Sequence, residues 1–225
     1  MRCLTLVAIS LFAPLAIASE SVCYGTTANG RLEGGVQLPS SGENYLSYGS
    51  VPERAGRTYV HSRVRDVVIA AYEILEREEP NKLFKYAETG FKEGGKFEPH
   101  KTHRNGLSVD FMVPVVDKDG RSVPIRTDPF NRYGYGIEFN EKAVYDDYRI
   151  DFDAMSAHLR ALDIAAKRQG IGIWQVLFDP ALQPYLYESK YGSYIQQNIQ
   201  IPKKRSWVRH DEHYHVDFAV ECKPM

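Results

Sequence analysis

Between residues 62 and 78, "SRVRDVVIAAYEILERE", apolar side chains recur at Val64, Val67, Val68, Ala71 and Leu75, with the charges elsewhere. That spacing predicts an amphipathic helix, ended by Pro80. A second helix is expected over 151–170, "DFDAMSAHLRALDIAAKRQG", with a stripe at Met155, Leu159 and Leu162. Asp151 or Asp153 offers its N-cap and Gly170 its C-cap. "LSVDFMVPVV" (107–116) reads as a strand, followed by a "DKDG" turn and a returning "RSVPI", a hairpin. The nearly continuous apolar run "GIGIWQVLFD" (170–179) predicts a central strand. "HYHVDFAV" (213–220) predicts the last one. There His213, His215 and Asp217 share one face, and Tyr214, Val216, Phe218 and Val220 supply the core from the other.

Between these elements, residues 24–58 are rich in Gly, Ser and Asn and read as an extended wrap with turns. A Gly- and Lys-containing loop, "ETGFKEGGKFEPHKTHRNG", fills 88–106. The aromatic-rich stretch 126–150 has no clear period and is expected in part to lie over a cleft. Helices mixed with hairpin-like strands predict an α+β class: a single domain with a central, mainly antiparallel sheet flanked by helices.

The chain opens Met1-Arg2, continues with the apolar "CLTLVAISLFAPLAIA" and closes that run on Ala16-Ile17-Ala18. A charged start, an apolar centre and an A-x-A end are the parts of a secretory signal peptide over 1–18; an uncleaved anchor helix is the alternative. Cys23 has no lipobox before it. The expected mature domain, 19–225, is periplasmic or secreted and has no membrane span, since no later stretch is apolar for long enough. The formal net charge is −1, and Arg2 leaves with the leader. Near-neutrality without a basic stripe excludes an electrostatic grip on nucleic acid. Of the three cysteines, Cys23 and Cys222 remain, one at each end of an exported chain. They suggest a disulfide joining the termini, worth roughly 4–5 kcal/mol in the chain-entropy model; two free thiols are the alternative.

The chemistry concentrates in the histidines, of which there are seven. Three fall within "HDEHYH", and the H-x-H of His213 and His215 aims two imidazoles from one face of a strand. His100, His103 and Asp110 lie in "HKTHRNGLSVD" (100–110). Asp110 is a carboxylate inside an apolar strand, costly unless paired or bound to metal. The Asn105-Gly106 turn can fold His103 back over it. His103, Asp110 and one histidine of the H-x-H then offer two nitrogens and an oxygen, the three-ligand set of a catalytic zinc with a position left for water. Neither half is specific alone; together, each on a strand, they point to one site. The alternative is a surface histidine cluster with a satisfied buried acid. His158, on the second helix with no ligand-type neighbour, reads as structural.

H-x6-D followed by H-x-H resembles the signature of the LAS metallopeptidases. The closer similarity is to the penicillin-insensitive murein endopeptidases, carried by "HKTHRNGLSVD", by "WVRHDEHYHV" (207–216), and by "NGRLEGGVQLP" (29–39) and "TYVH" (58–61). Residues 115–200 match only loosely. The resemblance implies a zinc endopeptidase that cuts peptide cross-links of peptidoglycan, of the D-alanyl-diaminopimelate type, with stem peptides as substrate. It implies one Zn2+ held by His103, Asp110 and His215. His213 would be the catalytic base or transition-state stabiliser, His210 a site residue near the metal, and His100 an accessory histidine. No D-x-x-H follows the Asp110 strand, so a second metal is not expected. Members tend to carry more cysteines than this chain. The basic run at Lys203, Lys204 and Arg205 suits the carboxylates of stem peptides by charge.

Three other functions fit the same zinc core. A D,D-carboxypeptidase or dipeptidase would differ in whether the cleft is open at both ends. A wall-binding module would keep zinc without catalysis, although His213 beside His215 favours an enzyme. A toxin against competitors' walls is the third. No HExxH is present, which argues against a thermolysin-like protease.

Overall fold

Strands Gly172–Leu177, His213–Ala219, Ser108–Met112, Phe84–Tyr86 and Tyr45–Ser47 lie side by side, in that order, in the central sheet of the computed structural model, which describes residues 20–225. The leader expected over 1–18 lies outside the described residues. All neighbouring strands are antiparallel except Tyr45–Ser47 and Phe84–Tyr86, which run parallel. The architecture is α+β, as the mixture of periods predicts.

Helices Ser62–Glu78 and Phe152–Arg168 pack on each other and on one face of this sheet. Val64, Val67, Val68, Ala71 and Leu75 are all buried on the first. Its N-cap is His61, whose ring accepts from Arg63 N at 3.2 Å. Asp151 caps the second helix, accepting from Ala154 N at 3.0 Å. Asp153 instead accepts from Lys190 N at 2.7 Å. Gly170 follows the C-cap Gln169 with φ 66°, where a side chain would be strained. His158 is fully buried in this layer, stacked on Tyr72 with centroids 5.1 Å apart and hydrogen-bonded to the Tyr214 hydroxyl. Burial holds its pKa down at about 3, so it packs as a neutral ring. Its structural reading stands.

Two strand expectations need correction. Gly172–Leu177 is an edge strand, not a central one: among the described residues it pairs only with His213–Ala219, carries a bulge between Ile173 and Gln175, and leaves Trp174 53% exposed. Its open side is partly covered by the Gln200 carbonyl, which accepts from Val176 N at 2.9 Å. The 107–116 run is two strands. Ser108–Met112 stays in the main sheet, while Val115–Val116 belongs to a second sheet with Ser122–Val123 and a hairpin formed by Val144–Tyr145 and Tyr148–Ile150. Pro114, which has no N–H to give a ladder, lies at the break.

At the N-terminus, hairpin Val22–Gly25/Gly30–Glu33 is fastened to the chain's end by a Cys23–Cys222 disulfide. It packs on the 88–106 loop, where Leu32 N donates to Glu93 O and Arg104 N to Thr27 O. No helix among the described residues is long and apolar enough to cross a membrane.

Candidate metal centre

The face of the sheet away from the helices carries the polar cluster. Register sets it: His215 lies opposite Asp110, His213 opposite Met112 and Asp217 opposite Ser108. Directly opposed residues share a face, so one ladder sets the Asp110 carboxylate against the His215 ring. Both are buried.

His103 comes from the 88–106 loop and is also buried. Its backbone is left-handed, φ 67°, as is that of His210, φ 56°. Such conformations cost about 1–3 kcal/mol and persist only when the surroundings over-determine them. Around His103, Arg104 is tied through Thr27 O and through Gly95 N. The His210 carbonyl accepts from Asp179 N, and its ring Nδ1 meets Val208 O at 3.1 Å.

The hydrogen bonds assign the tautomers. His103 Nδ1 faces the Thr89 carbonyl at 3.0 Å and must carry the proton. Its Nε2 is therefore a bare lone pair, buried, 3.2 Å from Asp110 Oδ1 yet not aligned to bond with any donor or acceptor. A lone pair facing a carboxylate oxygen without a proton between them asks for a cation there. His215 Nδ1 approaches the same oxygen at 2.8 Å, and its Nε2 meets Asp217 Oδ1 at 2.9 Å. Asp217 is fixed in turn by Ser108 Oγ at 2.6 Å and Gln175 Nε2 at 2.9 Å. A carboxylate behind a histidine whose other nitrogen faces the centre is the support that metal-bound imidazoles commonly have.

The electrostatics express the same demand for positive charge. Burial alone would lower the His215 pKa, but Asp217 and Asp110 outweigh it and hold it at about 10. Burial opposes ionisation of Asp110 too, yet His103 and His213 keep it well below the usual carboxylate range. His103 is lowered, chiefly by burial.

Two three-donor groupings share His103 and Asp110. With His100, the donor atoms all lie within 4.8 Å of one another. His215 is the other candidate third donor: its Nδ1 meets the Asp110 oxygen that His103 Nε2 faces, while Asp217 engages its Nε2. His100 Nε2 is already engaged by Glu88, which also receives Arg57 and, at 3.1 Å, the Tyr48 hydroxyl. The residues present fit a metal through the orphaned His103 nitrogen and the N,N,O character of the set.

His213 stands beside this group. Its Nδ1 donates to Glu212 Oε1 at 2.8 Å, and its Nε2 lies 3.7 Å from Asp110 Oδ2. Burial lowers its pKa, but Glu212 and Asp110 win and raise it. The His210 ring lies 4.8 Å from that of His213; burial, then His213 and His215, press its pKa down to about 3.

Asp110, His210, His213 and His215 line a cavity of about 560 Å3, with His100 on its wall. The pattern of the sequence did not single out Tyr135, which closes the site from the 126–150 stretch. Its hydroxyl donates to Asp110 Oδ2 at 2.8 Å, and its ring lies 4.9 Å from His213. Glu88 and Glu212 were missed as well. Glu212 stood in view, an acid directly before His213; Tyr135 and Glu88 carry no local signal. Of the basic run, Arg205 lines the cavity while Lys203 and Lys204 do not.

The family model of the penicillin-insensitive murein endopeptidases matches residues 23–224. The chain belongs to that family. No curated protein matches it. Membership supports a peptidoglycan-hydrolysing enzyme, and the His100-His103-Asp110 cluster is able to hold a metal. The matched range spans the loosely similar 115–200 region.

Proposed function

We propose that this murein endopeptidase is an exported zinc enzyme that hydrolyses D-alanyl-diaminopimelate cross-links between stem peptides, with residues 1–18 as its leader. The observation that carries the reading is the orphaned His103 Nε2, buried and facing Asp110 Oδ1 with His215 Nδ1 on the same oxygen, behind a cavity that Asp110 and His215 line. His103, Asp110 and His215 would hold the ion. When bound, it supplies Lewis acidity to the scissile carbonyl and lowers the pKa of water toward about 7.

The protein's own groups then have separable tasks. Glu212 fixes the His213 tautomer with the proton on Nδ1, leaving Nε2 to take a proton from the attacking water. Once charged, His213 can donate to the oxyanion that develops on the carbonyl. Glu212 and Asp110, which raise its pKa, favour that protonated form. Tyr135 fixes the second Asp110 oxygen, and His210 borders the substrate from the opposite loop. The Cys23–Cys222 bond supports export, because disulfides persist in oxidising compartments.

Digestion of purified cross-linked muropeptide dimers, read by mass spectrometry, tests the reading. Conversion of dimer to monomers is expected, and His213→Ala should retain zinc while losing about 10²–10⁴-fold in rate. Release of terminal D-Ala alone would make the enzyme a carboxypeptidase. Binding without cleavage would make it a wall-binding module.

A further inference from the structure

We infer that Lys101, Arg132 and Arg205 form a carboxylate-reading rim on the cavity, selecting stem peptides whose free carboxylates lie next to the scissile bond. The inference rests on the peptidoglycan reading and names what that site prefers.

The charge pairing around the cavity supports it. Four carboxylates line the wall, and each is already engaged by a partner within the protein. Glu88 is held by Arg57 and His100, Asp110 by the histidines, Glu138 by Arg209 and Glu212 by His213. Arg209 is also taken by Asp179 at 2.6 Å. Lys101, Arg132 and Arg205 line the same cavity, and none has a carboxylate within ion-pair distance among the described residues. These three exposed side chains are therefore the cavity's Lys and Arg groups left open to pair with an anionic ligand. The three cations come from three separate segments, 88–106, 126–150 and 202–209, so no single solvated run accounts for them.

Two features place them deliberately. Arg132 and Tyr133 are consecutive left-handed residues, φ 54° and 57°, an arrangement that costs free energy for side chains of this size. It is over-determined from below: Asp128 accepts from Phe130 N and Asn131 N, and Asn131 accepts from Asp128 N and Gly134 N. This turn presents Arg132 to the cavity three residues before Tyr135 reaches Asp110. Lys101 lies 5.3 Å from the ring of Trp207, which also lines the cavity and is 52% exposed. The lysine is thereby steadied on an aromatic face without being neutralised.

The test separates the rim from the chemistry. Zinc-loaded His213→Ala protein would be titrated by calorimetry with a cross-linked muropeptide dimer, and with the same dimer after amidation of its free carboxylates. The free-carboxylate dimer should bind about tenfold more tightly, the effect of one or more charge-assisted contacts. R132Q in that background should erase most of this preference, R132K should restore part of it, and K203Q, outside the cavity, should leave it intact. K101Q repeats the test if R132Q fails to fold. Equal binding of the two dimers, no binding of either, or an R132Q loss that is the same for both would overturn the rim. Wild-type cleavage, followed in parallel, judges the endopeptidase reading on its own: selective binding without cleavage sinks the chemistry and keeps the rim, and cleavage with equal binding does the reverse.

Discussion

Tyr135 donates its hydroxyl proton to Asp110 Oδ2 across 2.8 Å, joining the aromatic insert to the one carboxylate of the Ser108–Met112 strand. Asp110 Oδ1 is left to face His103 and His215. Tyr135→Phe keeps the ring against His213 and removes only this donor. A buried carboxylate oxygen that loses a bond costs about 1–3 kcal/mol, so thermal stability should drop by a few degrees. With the carboxylate freer to turn, kcat/KM on the dimer should fall about tenfold while zinc stays bound. Full activity in Tyr135→Phe would show that the hydroxyl only packs.

Asp217 makes a similar prediction one step further from the cavity. It is fully buried and holds His215 Nε2 from behind. Asp217→Asn should weaken zinc affinity by about 10–100-fold, as removal of such supporting carboxylates generally does. Competition with a chromophoric chelator measures it. Unchanged affinity would mean that His215 needs no carboxylate to orient it.

Period-2 alternation made much of this site legible. It put His213, His215 and Asp217 on one face before any pairing was known, and the buried charge of Asp110 marked the partner strand. It could not show that His215 would lie opposite Asp110 in register, because antiparallel pairing joins residues 105 apart. Nor could it reveal Tyr135, whose neighbours follow no period and whose position depends on left-handed turns at Arg132 and Tyr133. The run at 170–179 misled for a different reason. Its apolar residues suit burial on both sides, but Trp174 points outward from an edge strand, and composition alone does not tell an edge from a centre.

The disulfide closes a separation of 199 residues. In the chain-entropy model a loop of that size contributes about 5 kcal/mol, with measured effects commonly 2–5. Cys23→Ser should lower the denaturation midpoint accordingly and loosen the hairpin that packs on the His103 loop. Asn105 links the two regions directly, its amide 3.6 Å from Cys222 Sγ. Chemical denaturation with and without the substitution decides it; identical midpoints would mean that the bond adds no stability.

Lys85 gives a pH signature away from the metal. Its Nζ donates to Ile125 O at 2.7 Å and to Thr127 Oγ1 at 2.8 Å, pinning the start of the aromatic insert. Burial pushes its pKa down from 10.5 to about 8. Between those values the unfolded chain binds the proton and the folded protein does not, so this group makes stability rise with pH from about 8 to 10.5. Below 8 both states are protonated, and its contribution to the slope vanishes. Lys85→Met should remove that rise in denaturant titrations above pH 8. An equal slope in both proteins would assign it to another group.

The third ligand is the sharpest point at issue. His100, His103 and Asp110 cluster closely enough to hold an ion by themselves. In that arrangement His215 would be only a charged partner between two acids. Both imidazoles already meet carboxylates, but His100 Nε2 is turned to Glu88, itself paired with Arg57, whereas His215 Nδ1 meets the same Asp110 oxygen that His103 Nε2 faces. His215→Ala should therefore abolish stoichiometric zinc by elemental analysis, and His100→Ala should leave at least most of it. The opposite pattern would move the ion toward Glu88 and make His215 the proton carrier. Zinc retained in both variants would leave His103 and Asp110 to hold it with a donor outside this set.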